Sequence, residues 1–447
     1  MSRDRSKRIL IVAHNFPPLA SGGVHRPVKF ARYLRERGWE VDVLTVKNIR
    51  YHAYDPSLLD ELEGVAVYRA GSLEPLRLSR LLGWRPPLPP PRLDSFADAE
   101  RYCREGAGAP ARKAGRVYHT LARHLFVPDE QIGWLPFAAA KAFRLHRRRR
   151  YDVVLTTSPP ESCHLVGLKL KILTGRPWVA DFRDLWSTHH LRRGLFFINK
   201  LLHRGLEKWV LRAADGAVAN TAAMARNFVE AGVPAGRTLT LPNGFDPADF
   251  GAPLAKAGSG DFVVVHNGSF RGGRRARPLL EGFALARERD GDFAARAKLY
   301  MLGISRADDV RAAEDLGLRG AAFAVGYVRH ADALRACLGA DLLALAMAAE
   351  EGPALVPGKL YEYLGVGRPL FAAVPEGEVR DVIAKATRGA VVVGPEDTEA
   401  IADGLVEAFG AWRRGGIKYE TEPAVVSTYN RQTQLETLAS FLKDILQ

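Results

Sequence analysis

The sequence predicts an α/β protein made of two doubly wound, Rossmann-like domains. Three observations carry that expectation. Short apolar strands alternate with amphipathic helices, and they do so in two successive blocks. The chain has 447 residues, more than one ordinary core holds. The loops that follow the strands are rich in glycine and proline, and in parallel sheets those loops form the ligand edge.

The first block opens with an apolar strand at Arg8–Ala13, a Pro/Gly loop and a helical pattern from Val24 to Glu36 that Gly38 ends. Val41–Val46 is the next strand, which makes a βαβ unit and a parallel sheet. The loop between them carries Gly22-Gly23 rather than G-x-G-x-x-G, so the dinucleotide fingerprint is absent. Those glycines suit either a tight turn or a close approach to phosphate. Trp84–Leu93 is proline-rich, and with Asp94–Arg116 it reads as an insertion or a lid-like excursion. Strands follow at Asp152–Leu155, Trp178–Asp181, Ala217–Ala219 and Leu239–Pro242. The second block runs through Phe262–His266, Lys298–Leu302, Ala322–Gly326, Asp341–Ala346, Leu370–Val374 and Val391–Val393, with helices between. A final helix is expected over about Thr433–Leu446.

Composition narrows the function classes. Hydrophobic content of 47% and charged content of 26% describe a soluble globular protein. No apolar run approaches the roughly 20 residues of a membrane helix, and Ile9–Ala13 is too short for a signal-peptide core. Cys103, Cys163 and Cys337 are widely spaced and form no metal pattern, so a reduced, cytoplasmic protein without a structural metal is expected. The net charge of +14 suits an anionic partner or an arginine-rich background. No nucleic-acid-binding motif accompanies it. Arg147–Arg150 reads as a solvated helix end that complements the helix dipole. Leu191–Leu211 interleaves basic and bulky apolar residues, which suits both an interfacial helix on an anionic membrane and a helix packed on a sheet.

Chemistry concentrates in Val356-Pro357-Gly358-Lys359-Leu360-Tyr361-Glu362-Tyr363-Leu364. Pro357 and Gly358 break the chain before a helical pattern, and Lys359 and Glu362 share one face of its first turn. A helix N-terminus with a lysine suits phosphate, and a carboxylate one turn on suits a sugar diol. A surface Lys–Glu pair supporting the helix has the same spacing, so spacing alone leaves both readings open. Arg271-Gly272-Gly273-Arg274-Arg275 follows the first strand of the second block; Arg274 is preferred as a phosphate ligand, with Arg271 and Arg275 as fallbacks. In the first block, Asp181, Arg183 and Asp184 gather two acids and an arginine at a strand's carboxyl end. That is a catalytic arrangement, with an Asp–Arg pair stabilising the strand end as its alternative. His14 ends the first strand.

The Val356–Leu364 stretch resembles the nucleotide motif of family 4 glycosyltransferases, in the branch reading roughly P-S-K-x-x-E-Y, with Gly358 in place of the serine. His14-Asn15-Phe16-Pro17-Pro18 with Ser21-Gly22-Gly23 is similar to that family's first loop. Ala180–Trp186, Pro242–Asp246 and His266-Asn267-Gly268-Ser269 are similar to later motifs, in the family's order. The resemblance implies the GT-B arrangement of two Rossmann-like domains facing across a cleft: an acceptor domain at 1–243, a donor domain at 244–425, and a helix at 426–447 returning to the first domain. It implies a retaining glycosyltransferase acting on a UDP- or GDP-linked sugar and a sugar or lipid-linked acceptor in polysaccharide, glycolipid or other glycoconjugate biosynthesis. It would work in the cytoplasm or peripherally at the inner membrane face. No cofactor is expected. No Asp-x-Asp metal motif is visible (Val41-Asp42-Val43 holds a single carboxylate), so cationic side chains must carry the leaving-group charge.

By the same resemblance, Gly22, Gly23, Arg274, Lys359, Leu360 and Glu362 bind the donor; Asp184, Arg183 and Asp181 form the catalytic set; and His14 faces the acceptor. One departure stands out. Many members carry a further glutamate eight positions before Glu362, where this chain has Ala354, leaving Glu350, Glu351 or nearby backbone to substitute. The competing readings are a nucleotide-sugar epimerase or hydrolase on the same fold, a dinucleotide oxidoreductase, which the missing fingerprint opposes, and a non-catalytic basic lipid-binding scaffold.

Overall fold

Strand β1 (Arg8–Val12) is a run of aliphatic residues because both its faces are covered. Ile9 and Ile11 enter one core, beside Phe30 and Leu438. Leu10 and Val12 enter the other, beside Trp134 and Trp178. The computed structural model describes all residues except 1–5, 21, 48–50, 52, 74–89, 91, 106–121, 123, 271 and 272.

From β1 the chain passes through helix α1 (His25–Glu36) to β2 (Glu40–Val46) and β3 (Ala66–Ala70). Helices α2 (Leu135–Arg149) and α3 (Ser162–Thr174) flank β4 (Val153–Ser158). Next come β5 (Trp178–Phe182), helix α4 (Phe197–Ala213), β6 (Gly216–Ala219) and β7 (Thr238–Thr240). The seven strands are parallel, in the order β3-β2-β1-β4-β5-β6-β7. The order reverses between β1 and β4, so their carboxyl ends open a crevice. Sequence reading missed β3: it is an edge strand with only Ala70 buried, so it lacks the apolar run of its neighbours.

The second sheet is built from β8 (Phe262–Asn267), β9 (Ala297–Leu302), β10 (Ala322–Gly326), β11 (Leu342–Ala346), β12 (Leu370–Ala373) and the strand Val391–Val393. Its order is β10-β9-β8-β11-β12 and then Val391–Val393, all parallel, with the reversal between β8 and β11. Helix α5 (His330–Gly339) precedes β11, and helix α6 (Gly358–Val366) lies between β11 and β12.

The chain divides into two compact units: the described residues within Met1–Pro89, Gly115–Asn243 and Arg431–Gln447, and those within Pro90–Ala114 and Gly244–Asn430. The last helix, α7 (Arg431–Ile445), puts Leu435, Leu438 and Leu442 into the core of the first unit. The expected excursion at 84–116 lies largely outside the described residues. Its described part is a helix, Phe96–Arg104, started by a Ser95–Asp98 capping box. Leu93, Phe96 and Ala99 are buried in the core of the second unit, with the Phe96 ring 4.6 Å from that of Tyr300. The described part of that segment therefore belongs to the second unit. Among the described residues, no helix is long and apolar enough to cross a membrane.

Candidate active site

In the second unit the two loops at the strand-order reversal converge. Asn267-Gly268 ends β8, and the loop after β11 leads through Glu351 into α6. Pro357 N-caps that helix without a side-chain cap. Lys359, in its first turn, reaches back to β8: its Nζ donates to His266 Nε2 at 2.9 Å, while His266 Nδ1 donates to the Ala344 carbonyl at 3.0 Å. The carbonyl can only accept, which fixes the histidine as the Nδ1–H tautomer. Burial and the adjacent Lys359 hold His266 well below the ordinary histidine range. Burial, and then Arg274, hold Lys359 well below the ordinary lysine range.

Gly268 makes this approach feasible. Its φ is +142°, and a Cβ there would lie 2.8 Å from Lys359 Nζ. Tyr363, one turn after Lys359, staples the helix to the strand ends: its hydroxyl accepts the Asn267 N–H at 2.7 Å and donates to the Ala344 carbonyl at 3.4 Å. Glu362 is partly buried, with Oε2 3.5 Å from Asn267 Nδ2 and Oε1 3.4 Å from His330 Nε2 on α5. Arg274 pairs with Glu351, whose other oxygen, Oε2, is buried without a hydrogen-bond partner among the described residues.

In the first unit, Asp181 is fully buried and bound on both oxygens. Arg26 on α1 reaches it through Nη2 at 2.6 Å and Nε at 3.1 Å, and Thr157 Oγ1 donates at 2.7 Å. Arg26 Nη1 also donates to the Pro242 carbonyl at 2.9 Å. Arg183 turns inward as well. Its Nε donates to the Ser158 carbonyl and its Nη2 to the Pro159 carbonyl, each at 2.7 Å, and its Nη1 to the Gly23 carbonyl. Asp184 is partly exposed.

Residues 21–244, just over half of the chain, match the glycosyl transferase 4-like domain. The chain belongs to that family. No curated protein sequence matches this glycosyltransferase. Among solved structures, HepE from Anabaena in complex with UDP and glucose is 16% identical, with a TM-score of 0.64 over 98% of this chain and 100% of that one. A glycosyltransferase from Rickettsia africae is 15% identical, with a TM-score of 0.61 over 99% of both chains. Sucrose-phosphate synthase from Thermosynechococcus elongatus is 16% identical, with a TM-score of 0.58 over 98% and 97%. The fold class is GT-B: two α/β units on parallel sheets of seven and six strands.

The structure of the glycosyltransferase sorts the expected residues. Lys359, Glu362 and Arg274 converge at the carboxyl edge of the second sheet. Leu360 does not line that edge: its side chain is buried in the core and its N–H donates to the Pro357 carbonyl at 3.0 Å. Arg275 is exposed, and Arg271 lies outside the described residues. In the first unit, Asp181 and Arg183 are engaged in strand-end packing: both oxygens of the one and all three nitrogens of the other have partners there. His14 is 1% exposed and sits edge-on to Trp134 at 5.2 Å, so it does not face solvent as an acceptor contact would. Gly22 is open, whereas a Cβ on Gly23 would lie 2.3 Å from Arg183 Nη1; the arginine explains the second glycine. Among the described residues, no group of three or more His, Cys, Asp or Glu is placed to hold a metal ion.

Sequence reading missed His266 as the partner of Lys359, and His330 and Asn267 as partners of Glu362. The His-Asn-Gly sequence at a strand end was the available signal. It also missed Glu161, buried after β4 and 2.9 Å from Arg192, whose carboxyl is pushed up to about 7 by burial against the opposing pull of the arginine.

Proposed function

We propose that the protein is a retaining glycosyltransferase that moves a sugar from a UDP- or GDP-sugar to an acceptor hydroxyl without a divalent metal, in polysaccharide, glycolipid or other glycoconjugate biosynthesis at the inner face of the cytoplasmic membrane. The observation that carries the reading is the convergence of Lys359, Arg274, Glu351 and Glu362 on the crevice between β8 and β11. A nucleoside diphosphate needs cations for its phosphates and a carboxylate for its ribose, and both are present within one helical turn. The complex of HepE with UDP supports a uridine donor. Retention is inferred from the family resemblance and from no residue of this chain.

In this scheme Glu362 accepts the ribose hydroxyls, oriented by Asn267 and His330. Lys359 and Arg274 take the negative charge that develops on the departing diphosphate. Burial that discourages charge on Lys359 in the free protein is offset once an anion lies against it. Glu351 stands in for the acid absent at Ala354: Arg274 holds one oxygen and the other is available to a donor-sugar hydroxyl. Asp184, the partly exposed member of its run, receives the acceptor proton. Asp181 and Arg183 shape the loop that carries it.

Glu362→Ala tests the assignment. UDP affinity falls by about 1.5–3 kcal/mol, the cost of losing a charged hydrogen-bonding partner, while the melting temperature without nucleotide is unchanged. Titration calorimetry that returns wild-type affinity for both UDP and GDP would remove Glu362 from the site.

A further inference from the structure

Helix α4 carries two different faces. Asn199, His203, Val210 and Leu211 are buried in the first unit. The outward face is uncovered: Phe196, just before the helix, is 67% exposed, Phe197 77% and Ile198 69%, and Leu201 and Leu202 in the next turn are exposed too. Side chains this large are seldom left in water as a contiguous group. Packing on the sheet, one of the two readings of Leu191–Leu211, therefore fails for these five. Leu125 extends the patch, since it is exposed and the ring of its neighbour His124 lies 4.2 Å from that of Phe196.

The second half of the same face is basic. Arg204, Lys208 and Arg212 follow at four-residue spacing, all exposed, with exposed Trp209 beside Lys208. The helix has one acid, Glu207, which is partly buried and accepts the Ser187 N–H at 3.2 Å. The root of the helix is fixed. Arg192 pairs with Glu161 at 2.9 Å, and its Nη1 lies 3.2 Å from the Trp186 carbonyl and 3.1 Å from His203 Nδ1. The apolar turn is thus held in place by the fold itself.

We propose that this face docks on an anionic lipid bilayer. The Phe196–Leu202 turns enter the acyl boundary, and the Arg204–Lys208–Arg212 row lies on headgroup phosphates. Charge decides the occupant. A row of three cations with no exposed acid complements an anionic surface. A second copy of the helix would set cation against cation in parallel register and cation against apolar side chain in antiparallel register. The inference deepens the proposed membrane location and rests on it for its purpose; the surface uses no residue of the donor site.

The test is co-sedimentation of the full chain with vesicles of phosphatidylglycerol and phosphatidylcholine in equal parts, against vesicles of phosphatidylcholine alone. The chain binds the first and not the second, and it is released as salt shortens the screening length from about 8 Å to about 3 Å. Phe196→Ser with Phe197→Ser lowers binding roughly a hundredfold. Arg204→Gln, Lys208→Gln and Arg212→Gln together do so by a similar factor. Both variants keep the wild-type melting temperature and its rise with UDP. No binding at low salt, or equal binding to both vesicle types, overturns the proposal. So does a wild-type dimer that the serine pair disperses. If the serine pair unfolds, the glutamine set decides alone: unchanged vesicle binding in it overturns the proposal. Loss of the UDP response with vesicle binding intact would sink the nucleotide reading and leave the docking surface standing.

Discussion

Lys359→Ala lowers turnover by about a hundred- to a thousandfold, the range seen when one preorganised stabiliser of developing negative charge is removed. It does so with little effect on folding. Lys359 donates to His266, a neutral histidine, and its burial already disfavours the charged amine, so removing it relieves a desolvation cost. The loss belongs in the chemical step more than in donor affinity, because the charge on the diphosphate grows as the sugar departs. Wild-type turnover is unaffected by EDTA under the same conditions. Donor hydrolysis and transfer rates, with thermal denaturation of both proteins, check the prediction. A variant with a normal rate would leave Lys359 a packing residue with no part in catalysis. Wild-type activity lost to EDTA and restored by magnesium would assign the leaving-group charge to a metal.

Asp181→Ala destabilises the first unit by about 3–5 kcal/mol, because it strips the partner from a buried arginine. Arg26 is 1% exposed, and removal of Asp181 leaves its guanidinium facing a cavity, with the Pro242 carbonyl and the Phe30 ring, 4.9 Å from Cζ, as its remaining partners among the described residues. For a unit of this size the melting temperature drops by roughly 10 °C. Arg26→Met costs a similar amount alone. In the double variant the two losses are far from additive, since an apolar pair replaces the ion pair. Denaturant titrations of the four proteins measure the coupling. The same series separates structure from catalysis. With Asp181 as a structural residue, activity per folded molecule stays near wild type in the double variant; a hundredfold loss there would return Asp181 to the catalytic set.

Sequence is informative where partners are close along the chain and silent where they are distant. Lys359 and Glu362 were legible because they sit three residues apart in one helical turn, and local spacing is what periodicity reports. Most strands were legible for the same reason: both faces of β1, β4 and β8 are buried, so each carries at least three consecutive apolar residues. The edge strand β3 has no such run. The partner of Asp181 was hidden because Arg26 lies 155 residues away. Two acids and an arginine in Asp181–Asp184 looked like a functional cluster, but Asp181 and Arg183 each have distant partners that no local pattern reveals. His266 was hidden in the same way, 93 residues from Lys359. The excursion near Phe96 was misplaced because proline content reports that a segment leaves a domain, and says nothing of which core its aromatic residues join.

Gly268 has one further consequence, for the genetics of this chain. It has no side chain, binds nothing through one, and would be passed over in any search for reactive groups. Yet any L-residue there is strained at φ +142° and sets its Cβ against the Lys359 amine. Alleles at codon 268 will therefore fall in the same phenotypic class as alleles at codon 359. Even alanine, usually the mildest replacement, will behave as a null while the protein accumulates normally. A saturation scan of the chain would rank this position with the most intolerant, for reasons that lie in its backbone angle and its neighbour.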